Sequence, residues 1–271
     1  MRNKNTFMAY PYLAWMFAII LIPLLLIVLF SFTSKSGNHF TLIHFKEFFT
    51  PIYLKVMGHS LYMAAISTLF CLLLGYPIAY IIAKENPSKR NILLMVFIIP
   101  MWMNFLLRTY AWMTILGKNG IINQLFGLVN LGPYNLLYND VAVIMGMIYN
   151  FLPFMIYPIY SVLIKIDDSL VEAATDLGAN VISTFMKVIL PLSIPGIITG
   201  ITMVFMPAVS TFVIPTLLGG GQYMLIGNLI ELQFLQQNNW YFGSAISIIL
   251  MIFILISMGI MSKFDKEGGG A

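Results

Sequence analysis

Lys165-Ile166-Asp167-Asp168-Ser169-Leu170-Val171-Glu172-Ala173-Ala174-Thr175-Asp176-Leu177-Gly178 is a polar island between two long apolar runs, Val141–Ile164 and Leu192–Leu218. What those runs are decides the fold. The 271-residue chain is 60% hydrophobic and only 9% charged, against roughly 25% charged in a soluble domain. Too few polar side chains exist to cover a water-facing surface, so lipid must solvate part of it. A helix needs ~20 apolar residues to cross a bilayer. Six segments qualify: Tyr12–Phe32, Leu61–Ala83, Ile92–Leu116, Val141–Ile164, Leu192–Leu218 and Ser244–Met261, the last being the shortest. They are continuous rather than alternating, so they read as helices, whose backbone is satisfied internally in lipid. The expected fold is an all-α membrane protein with six transmembrane helices.

Lysine and arginine set the orientation. With the N-terminus inside, the inner segments hold Arg2, Lys4, Lys84, Lys89, Arg90, Lys165, Lys187, Lys263 and Lys266. The outer segments hold Lys35, Lys46, Lys55 and Lys118. This excess places both termini and the Glu172 island in the cytoplasm. Tyr12–Phe32 is longer than a usual signal core and is followed by no good cleavage site, so it reads as a retained first span. The outer loop Gly117–Asp140 has an apolar middle that suggests a short interfacial helix. The net charge of +4 comes without a dense basic cluster, which sets nucleic-acid binding aside. The single cysteine, Cys71, lies in an apolar run and reads as a small buried residue. Gly268-Gly269-Gly270-Ala271 reads as a flexible tail.

The chemistry of the island is local. Ser169-Leu170-Val171-Glu172 fits a capping box, with Asp167 and Asp168 near the same positive helix end. A short helix is expected from about Ser169 through Ala174. Gly178 is placed to end it, since glycine accepts the left-handed conformation cheaply. A second short helix is expected from about Val181 to Lys187, with Pro191 in the first turn of the fifth span. Taken alone, this is equally a well-capped loop.

The whole pattern goes further: Glu172-Ala173-Ala174, three residues, Gly178, nine residues, then Val188 and Leu190-Pro191. It is similar to the EAA motif of the membrane subunits of ATP-binding-cassette importers, departing from it at Val188, where isoleucine is usual. Leu74-Gly75-Tyr76-Pro77-Ile78-Ala79-Tyr80, Leu152-Pro153-Phe154-Met155, Asp176-Leu177-Gly178-Ala179 and Leu225-Ile226-Gly227-Asn228 resemble the spermidine/putrescine permeases, the first of their two permease subunits. The resemblance covers roughly His59 to Met261. It implies a type I importer permease fold in the bacterial cytoplasmic membrane, with an N-terminal segment (1–58), a permease core (59–262) whose coupling loop is 165–191, and a tail (263–271). It implies as partners a second homologous permease, two ATPase subunits and an external solute-binding protein. ATP and Mg would sit on the ATPase subunits, with no cofactor on this chain. Ser169, Glu172, Ala173, Ala174, Asp176, Gly178 and Pro191 would form the ATPase-coupling element. There the alanines allow close backbone approach, and Glu172 offers a carboxylate to a basic group. No G-x-x-x-x-G-K-[ST] pattern occurs in the chain, so energy must come from a partner.

Polar and helix-breaking residues inside spans mark cavities or helix contacts. Arg108 is the clear charge within a run, 16 residues after Ile92, hence ~24 Å along a straight helix. It reads as snorkelling or structural, or as a gate paired with Asp140 or Glu231. The fifth span carries Pro195, Gly196, Gly200, Pro207 and Pro215, and Pro207–Phe212 is not expected to be a smooth helix. It reads as lining a route, or as a kinked packing helix. Trp102, Tyr110 and Tyr149 offer aromatic faces to a cation, or belong to ordinary interfaces. With Arg108, Pro207 and Phe212 they are the candidate pathway residues. Gly219, Gly220, Gly221 and Gln222 are candidates for contact with the binding protein, or a plain turn. Two other classes compete. An ion-coupled transporter or channel tends to need acidic residues within spans, and none of the ten Asp/Glu falls clearly in one. A membrane enzyme needs a polar catalytic cluster. His39, His44 and His59 all fall in or beside one outer loop, and no Ser/His/Asp or H-E-x-x-H pattern accompanies them.

Overall fold

The computed structural model describes residues 11–12, 15–34, 39–221 and 223–268, with side chains described as far as residue 263. Arg2, Lys4, Lys35, Gln222, the side chain of Lys266 and the tail from Gly269 lie outside that set. The described architecture is helical, with one isolated antiparallel bridge between Thr33 and Phe40. The helices are α1 (Phe17–Ser31), α2 (Ile43–Phe48), α3 (Pro51–Lys84), α4 (Pro87–Trp102), α5 (Phe105–Leu116) and α6 (Ile121–Leu128). There follow α7 (Asp140–Leu163), α8 (Asp168–Asp176), α9 (Val181–Ser210), α10 (Val213–Leu218), α11 (Ile226–Glu231) and α12 (Trp240–Gly268). Four of them (α3, α7, α9, α12) are long and apolar enough to cross a membrane, and α4 with α5–α6 makes a fifth, bent candidate. The short helix expected in the 117–140 loop is α6.

Three expectations are corrected. The third span is not continuous: α4 and α5–α6 meet at 95°. Pro100 sits in the last turn of α4, Met103 is extended, and the Asn104 side chain accepts hydrogen bonds from the N–H groups of Leu106 (2.9 Å) and Leu107 (3.4 Å). A proline near one end and an asparagine cap at the next start end one helix and begin another. The ~24 Å measured along a straight helix to Arg108 therefore does not apply. Second, the helix after the island is not separate from the fifth span. It runs from Val181 to Ser210, with a π turn at Phe185–Ile189 in which the Leu190 N–H reaches the Phe185 carbonyl. That wide turn lies just ahead of Pro191, whose ring would crowd a regular α-turn. The same helix continues through Pro207, and the chain breaks only at Thr211–Phe212. Third, the sixth span is not short: α12 has 29 residues.

Two compact units form, Met1–Lys55 with Leu229–Phe253, and Val56–Asn228 with Ile254–Ala271. In the first, Phe30 meets Tyr241 edge-on at 5.7 Å, Tyr53 lies 4.9 Å from Phe242, and His44 Nε2 is 3.2 Å from the Thr33 carbonyl oxygen. The second is organised by α7, the most buried of the long helices. Small residues let its neighbours close on it. A Cβ at Gly196 would lie 2.9 Å from the Pro158 carbonyl oxygen and 3.0 Å from the Ile159 Cα, and one at Gly200 would lie 2.7 Å from Met155 Sδ. Gly196 and Gly200 are four apart, so α9 presents a small-x-x-x-small face to α7. A Cβ at Gly75 of α3 would lie 3.0 Å from Met155 Cγ. The glycines of the fifth span therefore serve packing. Buried hydroxyls add directional ties: Tyr76 Oη to Ser193 Oγ at 2.9 Å, and the Ile226 N–H donating to Ser60 Oγ at 2.7 Å. Cys71 is fully buried, as expected for a small apolar residue.

Candidate functional site

The island folds as two helices joined by a tight turn. Helix α8 begins at Asp168, and its cap is Asp167, whose carboxylate accepts the Ser169 N–H at 3.0 Å. Ser169 is thus inside the helix and not its cap. The Glu172 side chain makes no capping hydrogen bond. An ionised carboxylate is a stronger acceptor than a hydroxyl, and Asp167 takes the position two residues earlier. This hydrogen bond holds the Asp167 carboxyl below the ordinary carboxylate range. A depressed carboxylate stabilises the fold above its unfolded pKa, and that contribution is lost as pH falls through the folded pKa. Amide exchange in 168–176 should therefore quicken in Asp167→Ala at neutral pH. The difference from the parent should shrink once pH falls below the depressed pKa. An equal difference at both ends would show that the cap does not act through its charge.

Gly178 ends α8 as the sequence suggests, with φ +81°. Its N–H donates to the Thr175 carbonyl at 2.9 Å, and the Ala179 N–H donates to the Ala174 carbonyl at 3.0 Å. These are the two bonds of a Schellman motif. Asn180 then caps α9, its side chain accepting the Ser183 N–H at 2.8 Å. Glu172, Ala173 and Asp176 are exposed, Ala174 is half-buried, and Glu172 has no ion pair among the described residues. Pro191 is exposed within α9, outside the turn itself. The sequence reading missed the apolar members of this surface. Leu177 is 88% exposed, Val181 81% and Ile182 74%. These exposed apolar side chains sit on the polar turn and in the first turn of α9, ahead of the apolar run that begins at Leu192. Behind α8 lies a cavity of about 320 Å³ lined by Tyr80, Lys84, Arg90, Leu163, Asp168 and Val171, among others, with Lys84 Nζ 5.0 Å from the centre of the Tyr80 ring.

The candidate pathway residues are not all in one place. Arg108, Tyr149 and Trp112 share a groove of about 200 Å³, with Trp112 edge-on to Tyr149 at 5.3 Å. Trp102 is exposed at the end of α4 and Tyr110 is exposed on α5, and neither lines that groove. Arg108 is not paired with Asp140, whose carboxylate instead lies 3.5 Å from His59 Nε2. Pro207 and Phe212 flank the α9–α10 break, and Phe212 is exposed. Gly227 and Asn228, unassigned by the sequence reading, hold that break. Asn228 Nδ2 donates to the Phe212 carbonyl (2.8 Å) and to Thr216 Oγ1 (2.7 Å), and Gly227 lies against the Ser210 and Thr211 carbonyls, where no Cβ would fit. Only the juxtaposition in space reveals this brace. Asn228→Ala should cost about 0.5–1.5 kcal/mol, because the two side-chain bonds across the break are lost while the Phe212 carbonyl still accepts from Thr216. A melting-temperature shift of the purified protein reads it, and no shift would remove the brace. Gly219–Gly221 closes α10: Gly220 has φ +62° and packs directly on the Tyr138 ring, and Gly221 has φ +73°.

Comparison with known proteins gives three findings. Residues 75–267 match the family described as binding-protein-dependent transport system inner membrane component. The spermidine/putrescine transport system permease protein PotB of Haemophilus influenzae is 40% identical over 262 residues, covering 93% of this chain and 91% of that one. Among solved structures, a bacterial ABC transporter involved in the import of the acidic polysaccharide alginate superposes with a TM-score of 0.83 at 16% identity, covering 97% of this chain and 95% of that one. The same kind of transporter in complex with an alginate pentasaccharide-bound periplasmic protein superposes at 0.82 and 17% identity, covering 97% and 94%. At such identities the structures establish the shared fold.

Proposed function

The chain belongs to the family of binding-protein-dependent transport system inner membrane components, and from that premise we propose that it is the polyamine-conducting permease subunit of an ATP-binding-cassette importer in the cytoplasmic membrane. The observation that carries the substrate class is the 40% identity to a spermidine/putrescine permease along nearly the whole of both chains. Its partners in this reading are a second homologous permease, two ATPase subunits that hold ATP and Mg, and an external solute-binding protein. The permease core is 59–262, and 1–58 is the preceding segment.

The coupling element is Glu172, Ala173, Ala174, Asp176 and Gly178 with the apolar pair Leu177 and Val181. Ser169 and Pro191 support it, Ser169 by donating to the cap and Pro191 by following the π turn. Exposed apolar side chains beside an exposed carboxylate suit a groove with a basic rim on an ATPase. When two ATPase subunits close on ATP, the seated helices move together, and α9, continuous with the turn, carries that movement into the membrane. In this reading Trp102, Tyr110, Tyr149, Pro207 and Phe212 meet the cation at separate points along its route, and Gly219–Gln222 meets the binding protein. Labelled spermidine uptake by cells lacking their own polyamine importers tests this. Expression of the chain with its partner subunits should restore ATP-dependent uptake that putrescine competes. Uptake of another solute class would transfer the assignment to that class. Recovery from membranes without any ATPase would overturn it.

A further inference from the structure

Arg108 is a cation with nothing to answer it. It is 8% exposed, its Nε is buried without an acceptor, and among the described residues its side chain makes no hydrogen bond or ion pair. The guanidinium carbon lies 6.0 Å from the centre of the Phe105 ring. The groove it occupies is otherwise apolar or aromatic: Met103, Leu107, Ala111, Trp112, Ile115 and Tyr149. Met103, Leu107, Ala111 and Ile115 recur every fourth residue, and Met103 and Leu107 are more than half exposed. A largely buried, unpaired arginine side chain along an apolar ridge calls for an anion, since a charge taken out of water without a partner is destabilising.

Depth decides where that anion comes from. The apolar part of α4 begins at Ile92, and ten residues to Trp102 advance about 15 Å. The hydrocarbon core is about 30 Å thick, so α4 ends near mid-bilayer. The 95° bend then directs α5–α6 away from the α4 axis. With α4 along the membrane normal, Arg108, one turn into α5, lies about half a bilayer from either headgroup layer, which favours a protein carboxylate over a lipid phosphate. Charged residues at this depth pair with protein groups.

Building on the reading above, we propose that the Arg108 groove is a docking surface for the second permease subunit, which lays an apolar helix along Met103–Leu107–Ala111–Ile115 and presents a carboxylate to the guanidinium. The pairing also neutralises a positive charge beside a route for cationic cargo.

The test uses the intact importer in native membranes, with p-benzoylphenylalanine replacing Leu107 in one strain and Leu177 in another. After irradiation, the Leu107 probe should give an adduct with the second permease. The Leu177 probe should give one with the ATPase. A Leu107 probe that yields only lipid adducts, or none, while the Leu177 probe captures the ATPase, overturns the docking surface and leaves the functional reading standing. Absence of both partners from the parent complex would instead overturn that reading. In parallel, Arg108→Gln should lower recovery of the second permease with the purified chain by at least about tenfold, as expected for a broken buried charge pair, and Arg108→Lys should restore part of it. Unchanged recovery with glutamine would remove the carboxylate partner.

Discussion

Glu172→Lys and Gly178→Val should each abolish spermidine uptake, to less than about a tenth of the parent rate, while the chain still inserts and still pairs with its partner permease. The two changes act through different physics. Glu172 is exposed and unpaired, so reversing its charge leaves the island's own fold intact and places repulsion where the coupling assignment sets a basic partner. Gly178 has φ +81° with open space around it. A Cβ there meets nothing within 4 Å, but the left-handed backbone costs valine about 1–2 kcal/mol, and β-branching makes the position worse still. The turn would open, α8 would lose its Schellman bonds, and Leu177 and Val181 would separate. Uptake, ATP hydrolysis and membrane abundance measured together separate the cases. Loss of uptake with normal abundance supports the coupling assignment. Normal uptake in Glu172→Lys would remove that residue from it. A fall in abundance would mark the turn as a folding element instead.

Gly196→Leu should be at least as damaging, with a different signature. The obstacle is the α7 backbone itself, at the Pro158 carbonyl and the Ile159 Cα. Backbone cannot rotate away as a side chain can, so α9 must move off α7 along the whole contact. Overpacking typically costs about 1–3 kcal/mol, occasionally more, and this contact stands at the centre of the second unit. The protein should fail to accumulate and should be sensitive to protease in membranes. Gly200→Ala should be milder, because its nearest neighbour is the flexible thioether of Met155. Equal accumulation of Gly196→Leu and the parent would show that the α7–α9 contact is not what holds the unit together.

Much of this molecule could be read from one dimension. Apolar runs of bilayer length gave the helical class, because lipid leaves a backbone few alternatives. Gly178 was identifiable as the end of α8, since a helix stop by a left-handed glycine is a local event. Glu172-Ala173-Ala174 together with Gly178 and Leu190-Pro191 carried the family resemblance. The capping register was also a local matter, yet two acceptors competed within three residues. The carboxylate of Asp167 prevailed over the hydroxyl of Ser169, which places the helix cap two residues earlier.

Other features depend on residues far apart in the chain, and only the tertiary structure decided them. The 95° bend after Trp102 follows from Pro100 and Asn104, but an apolar run of 25 residues, Ile92–Leu116, conceals it, because hydropathy reports solvent and not direction. Gly196 and Gly200 fitted a route lining or a kinked packing helix alike, and they are contacts with α7. Asn228 and Gly227 hold the break at Phe212 from 16 residues away. Arg108 was visible as a charge in a span, but its want of an acceptor was not, since a missing partner is a property of all its neighbours at once. Composition and local hydrogen bonding determine which segments enter the membrane and where a turn must fall. Close packing, in which each side chain's worth depends on the surface opposite, determines which of those residues meet.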